Sequence, residues 1–266
     1  MSAVEILLPA FVACALLVFS HAYLGLHVLA RGIIFLDLAL AQTAALGAAM
    51  AFYFGADEHD VLTRVAAFAL AVIAALAFTW LRHINNTTTR EALIGIVYVV
   101  STALSVLFLS NSVQGMEELK AMFNGAVLWV QWRDIALLAV VTGILAIIHW
   151  WFRKRFTGLS FSGNVPEHAD IWEFLFYLSF AVIITLAVDI AGVLLVFAML
   201  VIPALTASLI LQSFRQQLIW AWVLGVTASA CGLVLAYNWD LPAGATLVSV
   251  MGLLPVIAGI TRYAQR

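Results

Sequence analysis

The chain has 266 residues, 65% of them apolar and only 10% charged, with a mean hydropathy of +1.10 and a formal net charge of −2. Soluble domains average about 45–50% apolar and about 25% charged residues, so this composition excludes a soluble fold and requires lipid to cover the surplus. No basic stripe points to nucleic acid.

A helix crosses the hydrocarbon with roughly 20 apolar residues. The expected spans, in chain order, are 6–29, 33–54, 62–81, 92–110, 133–152, 172–188, 191–211, 217–237 and 244–261. The first carries Cys14, His21 and His27. It lacks a basic n-region and a small-residue cleavage site, so it reads as a retained span and not a removed signal. The second, "FLDLALAQTAALGAAMAF", holds two polar side chains in an apolar run, Asp37 and Gln42. Polar stretches separate the spans: "GADEHD" at 55–60, "RHINNTTTRE" at 82–91, "NSVQGMEELK" at 111–120 and "RKRFTGLSFSGNVPEHAD" at 153–170. The apolar run Trp172–Leu211 has 40 residues, about 60 Å as one helix. That is too long for one crossing, and "DIAG" (Asp189–Gly192) is the place for a tight turn. Further on, Pro203 is expected to bend its helix. The fold class is all-α integral membrane, a polytopic bundle of about 8–9 transmembrane helices. With no linker to divide the chain, residues 1–266 read as a single transmembrane domain.

Orientation follows from lysine and arginine. With nine spans and the N-terminus outside, the inner face holds Arg31, Arg82, Arg90, Arg153, Lys154, Arg155, Arg215, Arg262 and Arg266, against Arg64, Lys120 and Arg133 outside. An eight-span, N-inside arrangement ranks second. In the nine-span arrangement the outer loops are acidic, with Asp57, Glu58 and Asp60 in one and Glu117 and Glu118 in another.

No phosphate-binding GxxxxGK[ST] loop occurs, so any ATP hydrolysis belongs to another polypeptide. Asp37 is the carboxylate this reading places inside a span, near its inner end, with Arg31 as its expected partner. Ion-coupled carriers usually carry several such groups. No HExxH, GxSxG or paired intramembrane carboxylate marks an enzyme. His21 and His27 are six residues apart and point about 120° apart on a helix, so they form no simple metal clamp. The scattered histidines are expected in structural or interfacial roles. Cys14 and Cys231 are expected as buried small hydrophobes.

In the second half, "GVLLVFAMLVIPALTASLI" and "GLVLAYNWDLPAGATLVSV" (Gly232–Val250) carry a resemblance. With "TREALIGIVYVVSTALSVLFLS" (Thr89–Ser110), "MFNGAVLWVQWRDI" (Met122–Ile135) and the opening "LGLHVLARGIIFLDLALAQTAALGAAMAF", they appear in order along nearly the whole chain. The sequence resembles the permease subunits of zinc/manganese/iron-type ABC importers. The resemblance implies two permease copies forming one translocation path, two copies of a separate ABC ATPase on the cytoplasmic face, and an extracytoplasmic metal-binding protein. It also implies a multi-pass protein of the bacterial inner (plasma) membrane, with no permanently bound cofactor, ATP used by the partner and a metal ion as cargo. The ATPase-docking segment is implied at Thr206–Gln217, with Thr206, Ser208, Gln212 and Arg215 as candidates.

The family's second span typically reads G-D-A-L-S-H-A-x-L-P-G, its Asp and His one turn apart on the metal path. With Gly47 on the final glycine, Gln42 takes the histidine position, Leu38 the aspartate position and Leu46 the proline position, while Asp37 sits one residue early. Glutamine is a poor exchange for imidazole as a zinc ligand. Asp37 and Gln42 remain the translocation-path candidates. The competing expectation makes Asp37 an interfacial anchor and Gln42 an interhelical hydrogen-bond former. The leading cargo is a divalent transition metal, zinc or manganese first and iron next. The alternatives are a metal chelate or non-metal solute on the same fold, or a stand-alone ion-coupled carrier or membrane scaffold.

Overall fold

The computed structural model describes residues 3–56, 60–110, 125, 127–161 and 166–264. Nine helices are described: α1 (Ala3–Arg31), α2 (Leu36–Tyr53), α3 (Val61–Leu81), α4 (Thr87–Leu109), α5 (Trp132–Trp151), α6 (Arg153–Ser160), α7 (Ala169–Ile210), α8 (Phe214–Asn238) and α9 (Ala243–Ala264), with a 3₁₀ turn at Val127–Trp129. No strand occurs among the described residues. Eight of these helices are long and apolar enough to cross a membrane, and α6 is the exception. Aliphatic side chains such as Val99 and Leu107 on α4 and Ile144 and Ile147 on α5 are exposed, where only lipid or another apolar surface stabilises them.

Local chemistry sets several boundaries. Asn86 caps α4, its Oδ1 accepting from the Thr88 N–H at 2.9 Å and the Thr89 N–H at 3.3 Å. Asp60 begins α3 in the same manner, through the Leu62 N–H. Asp57, Glu58, Glu117 and Glu118, which carry the acidic-loop readings, and Lys120, counted among the outer cations, lie outside the described residues.

The long apolar run breaks where its glycine stands. Within α7, Gly192 has φ 75° and ψ 157°, a conformation essentially reserved for glycine. Helical dihedrals continue through Pro203, and the break falls in the expected Asp189–Gly192 segment. Gly125, also at positive φ (63°), packs beside the break, and a Cβ there would overlap the Ala191 carbonyl.

The chain forms two compact units. The first comprises Met1–Ala30, Asn124–Ala146 and Asp189–Arg266. In it α1 approaches α7 where Gly25 abuts the Leu200 carbonyl, and Ala204 would lie 3.2 Å from a Cβ on that glycine. Val18 and Pro203 both border Gly225 of α8. The Trp222 indole donates to the Phe19 carbonyl at 3.0 Å. Cys14 is buried, but Cys231 is exposed, contrary to the expectation for that residue.

The second unit comprises Arg31–Phe123 and Ile147–Val188. Its centre is α2, which packs against α3 and α4. Gly47 sits directly against the Ala66–Ala67 backbone, and Ala44, Ala67, Ala71 and Ala181 form a small-residue core. Apolar side chains gain little from leaving lipid for protein. Close backbone approach and dispersion across such alanine and glycine surfaces therefore hold the helices together.

Candidate functional site

In the second unit, α2 is buried along most of its length and is helical throughout Leu36–Tyr53. Asp37 and Gln42 are each only 1% exposed. Among the described residues, Asp37 Oδ1 and Gln42 Nε2 have no hydrogen-bond partner. Polar atoms left in that state in an apolar interior cost several kcal/mol each, so both side chains are equipped to meet a polar group. Because α2 is regular, their directions differ by about 140°. The helix carries both but does not turn them toward one point. The polar neighbour Thr43 is satisfied locally, donating to the Ala39 and Leu40 carbonyls at 3.0 and 2.9 Å.

Arg31 takes a different partner from the one expected. Its Nη1 reaches Glu173 Oε1 at 3.2 Å, its Nε donates to Ser160 Oγ at 2.8 Å, and its guanidinium lies 4.0 Å from the Phe176 ring centre. Glu173 Oε1 also accepts from the Tyr177 hydroxyl at 2.6 Å. Glu173 is 4% exposed, so Asp37 is not the sole buried carboxylate. Sequence reasoning missed this network because Arg31 and Glu173 are 142 positions apart. The available signal was Glu173 and Tyr177, one turn apart at the start of an apolar run.

The histidines of α1 lie in the first unit. His21 Nδ1 is 2.9 Å from the Leu17 carbonyl and 3.1 Å from Ser20 Oγ. His27 packs edge-on against Tyr23 and Phe214 at 4.8 and 5.6 Å between ring centres. In the second unit, His149 stacks on Phe156 at 4.1 Å and lies 3.1 Å from Ser179 Oγ. Among the described residues, no group of three or more His, Cys, Asp or Glu side chains gathers as a metal cage.

The predicted docking segment, also in the first unit, spans the end of α7 and the start of α8. Thr206 is buried and donates to the Ile202 carbonyl at 2.7 Å, while Ser208 donates to the Leu205 carbonyl at 2.8 Å. Leu211–Ser213 is non-helical, and Gln217 Nε2 closes this link by donating to the Leu211 carbonyl at 2.8 Å. Gln212 and Arg215 are exposed. The structure thus gives two candidates outward-reaching polar ends and keeps Thr206 turned to its own helix.

Apolar helices long enough to span a membrane, carrying buried polar side chains and, among the described residues, no metal cage, have the makings of a membrane transport body. The sequence description of the ABC 3 transport family matches residues 3–262, and the chain belongs to that family. It is 24% identical over 263 residues to the high-affinity zinc uptake system membrane protein ZnuB of Haemophilus influenzae, covering 96% of this chain and 97% of that one. It is 22% identical over 246 residues to the manganese import system permease protein ScaB of Streptococcus gordonii, covering 91% and 86%. Among solved structures, PsaBC from Streptococcus pneumoniae in complex with a Fab has a similar fold, with TM-score 0.78 and 22% identity over 96% of this chain and 91% of that one.

Proposed function

We propose that this chain is the membrane subunit of an ABC importer for a divalent transition metal, zinc or manganese first and iron next. Two copies of the domain 1–266 form the path in the bacterial inner membrane. A separate ATPase drives it from the cytoplasm, and an extracytoplasmic metal-binding protein supplies the cargo. The observation that carries this reading is the family match over 3–262, joined to two buried, unsatisfied polar side chains on α2. The named roles of the zinc and manganese relatives support the cargo class.

In this proposal Asp37 offsets part of the cost of bringing a dication into a low-dielectric path. Gln42 contributes an amide that meets the passing ion or its water. Carboxylate and carbonyl oxygens suit manganese, whereas imidazole suits zinc. Gln42 at the position of a histidine therefore favours a loosely held, oxygen-ligated ion. The same residue favours a second reading, in which the metal crosses already wrapped by a chelator. Gln212 and Arg215 then meet the ATPase, with Thr206 and Ser208 shaping the helix end beneath them.

The test is uptake by proteoliposomes holding the permease, its ATPase and its binding protein, against zinc, manganese, iron and chelated iron. ATP-dependent accumulation of one free metal is the expected result. Accumulation by the permease alone, or of no metal in any form, would overturn the proposal.

A further inference from the structure

Helix α5 ends and α6 begins at a single charged and aromatic corner of the second unit. Trp150 and Trp151 close α5, Phe152 is the link, and Arg153, Lys154 and Arg155 open α6. They border a cleft of about 640 Å³, whose far wall is Trp172 of α7. The two α5 tryptophans are 65% and 73% exposed, and the three cations are exposed as well. Arg153 lies 5.5 Å from the Trp150 ring centre, and Arg155 lies 5.8 Å from that of Trp172. The corner is built, not frayed: Phe156 of α6 is fully buried, stacked on His149 and set edge-on to Trp172 at 5.9 Å.

Nothing among the described residues neutralises the charge of this corner from within. Among the described residues, no carboxylate forms a salt bridge with Arg153, Lys154 or Arg155. The carboxylates of the adjoining α7 turn are engaged elsewhere, Asp170 by Arg82 at 2.9 Å and Glu173 by Arg31. Three adjacent cations without an internal counter-charge call for an external anion. The exposed indoles restrict its kind. Tryptophan at the end of a spanning helix settles at headgroup depth, and a basic cluster beside such a helix attracts anionic headgroups. A free phosphate would leave the indole faces uncovered, whereas a lipid satisfies both halves of the cleft.

We propose that this cleft binds an anionic phospholipid. The headgroup phosphate meets Arg153, Lys154 and Arg155, and the glycerol and upper acyl chains lie against Trp150, Trp151 and Trp172. The proposal stands apart from the cargo and from the α2 residues.

The test uses the full chain in detergent, titrated with phosphatidylglycerol whose acyl chains carry bromine, and in parallel with equally brominated phosphatidylcholine. Bromine quenches nearby indole fluorescence. Each basic side chain near an anionic surface contributes about fivefold in affinity, so phosphatidylglycerol should half-quench at up to about 100-fold lower mole fraction. The triple variant R153Q/K154Q/R155Q should merge the two curves, W150F/W151F should remove most of the difference signal, and the exposed control Arg64→Gln should change nothing. On the unmodified chain, about 1 M salt should also merge the curves, since the Debye length falls to about 3 Å. This arm needs no variant to fold. Coincident curves from the outset, or a separation that survives salt or the triple variant, would overturn the proposal. So would collapse of the separation under inorganic phosphate at an ionic strength where sodium chloride leaves it intact, which would make the cleft a site for small anions and not lipid.

Discussion

Glu173→Ala gives the sharpest test of the physical reading, because its cost follows from observed contacts. The substitution strips Arg31 of its counter-charge and Tyr177 of its acceptor. Both side chains of the ion pair are only 6% exposed, so water cannot compensate. Removing one partner of a buried pair costs about 3–5 kcal/mol, mostly from the charge left behind. Arg31 keeps Ser160 and the Phe176 ring, which places the expected loss at the lower end, about 3 kcal/mol. For a chain of this size that lowers the unfolding midpoint by roughly 6–12 °C, measured by thermal unfolding in detergent. The double variant Arg31→Met/Glu173→Leu removes both charges together, and replacing a buried pair by apolar groups is often neutral. It should therefore be more stable than Glu173→Ala alone. Tyr177→Phe removes one hydrogen bond to a charged acceptor and should cost about 1.5 kcal/mol. A Glu173→Ala midpoint within 2 °C of the parent, or strictly additive losses in the double variant, would refute the claim that this pair is buried and coupled.

Other expectations reach the transport proposal and the helix break. Gln42→His should raise zinc uptake relative to manganese by about tenfold or more in the reconstituted complex, since imidazole adds a ligand that zinc prefers; an unchanged ratio removes Gln42 from the path. Arg215→Glu reverses an exposed charge and should weaken association with the ATPase, read by co-purification and by transport-coupled ATP hydrolysis; normal coupling refutes the docking role. Gly192→Ala should cost about 1–3 kcal/mol, because alanine cannot hold φ 75° with ψ 157° without strain. Gly125→Ala should cost at least as much, its new methyl overlapping the Ala191 carbonyl. A Gly125→Ala midpoint equal to the parent would mean that this contact is not close-packed.

How far the sequence could be read depended on which force set each feature. Span positions were legible because lipid solvation acts on the chain locally. The expected 62–81, for example, is the observed Val61–Leu81, and 133–152 is Trp132–Trp151. The break at Gly192 was legible for two reasons of the same local kind, length and the one residue able to take that dihedral pair. At Pro203 the backbone keeps helical dihedrals, and the proline is buried against Gly225 of α8, a packing partner that sequence spacing did not reveal. Helix α6 was missed for want of a spanning apolar run. Its eight residues are anchored chiefly by Phe156, whose ring contacts, His149, Trp172 and Phe176, come from the ends of other helices.

The candidate site was less legible, and α2 shows why. An aspartate in an apolar run announces that something must compensate its burial. Sequence proximity offered Arg31, and the fold instead commits that arginine to Glu173. The consequence bears on function. Had Arg31 neutralised Asp37, α2 would hold a closed ion pair, and a cation would have to break it before binding. With Arg31 engaged elsewhere and Oδ1 unpartnered among the described residues, the carboxylate keeps its capacity for an incoming positive charge. On another side of the helix the unpartnered atom of Gln42 is its amide nitrogen Nε2, a donor that meets an acceptor oxygen and not the cation itself. In the proposed path, these two groups, about 7.5 Å apart along the axis at 1.5 Å per residue, suit successive handling of a partly hydrated ion better than simultaneous chelation, an arrangement that favours release of the cargo. Moving the carboxylate by one residue, as Asp37→Leu with Leu38→Asp, would place it one turn from Gln42 on the same face. The expected result is tighter retention and slower turnover of manganese in the reconstituted complex, read as a lower KM with a reduced maximal rate. A rise in maximal rate would show that the native offset does not serve release.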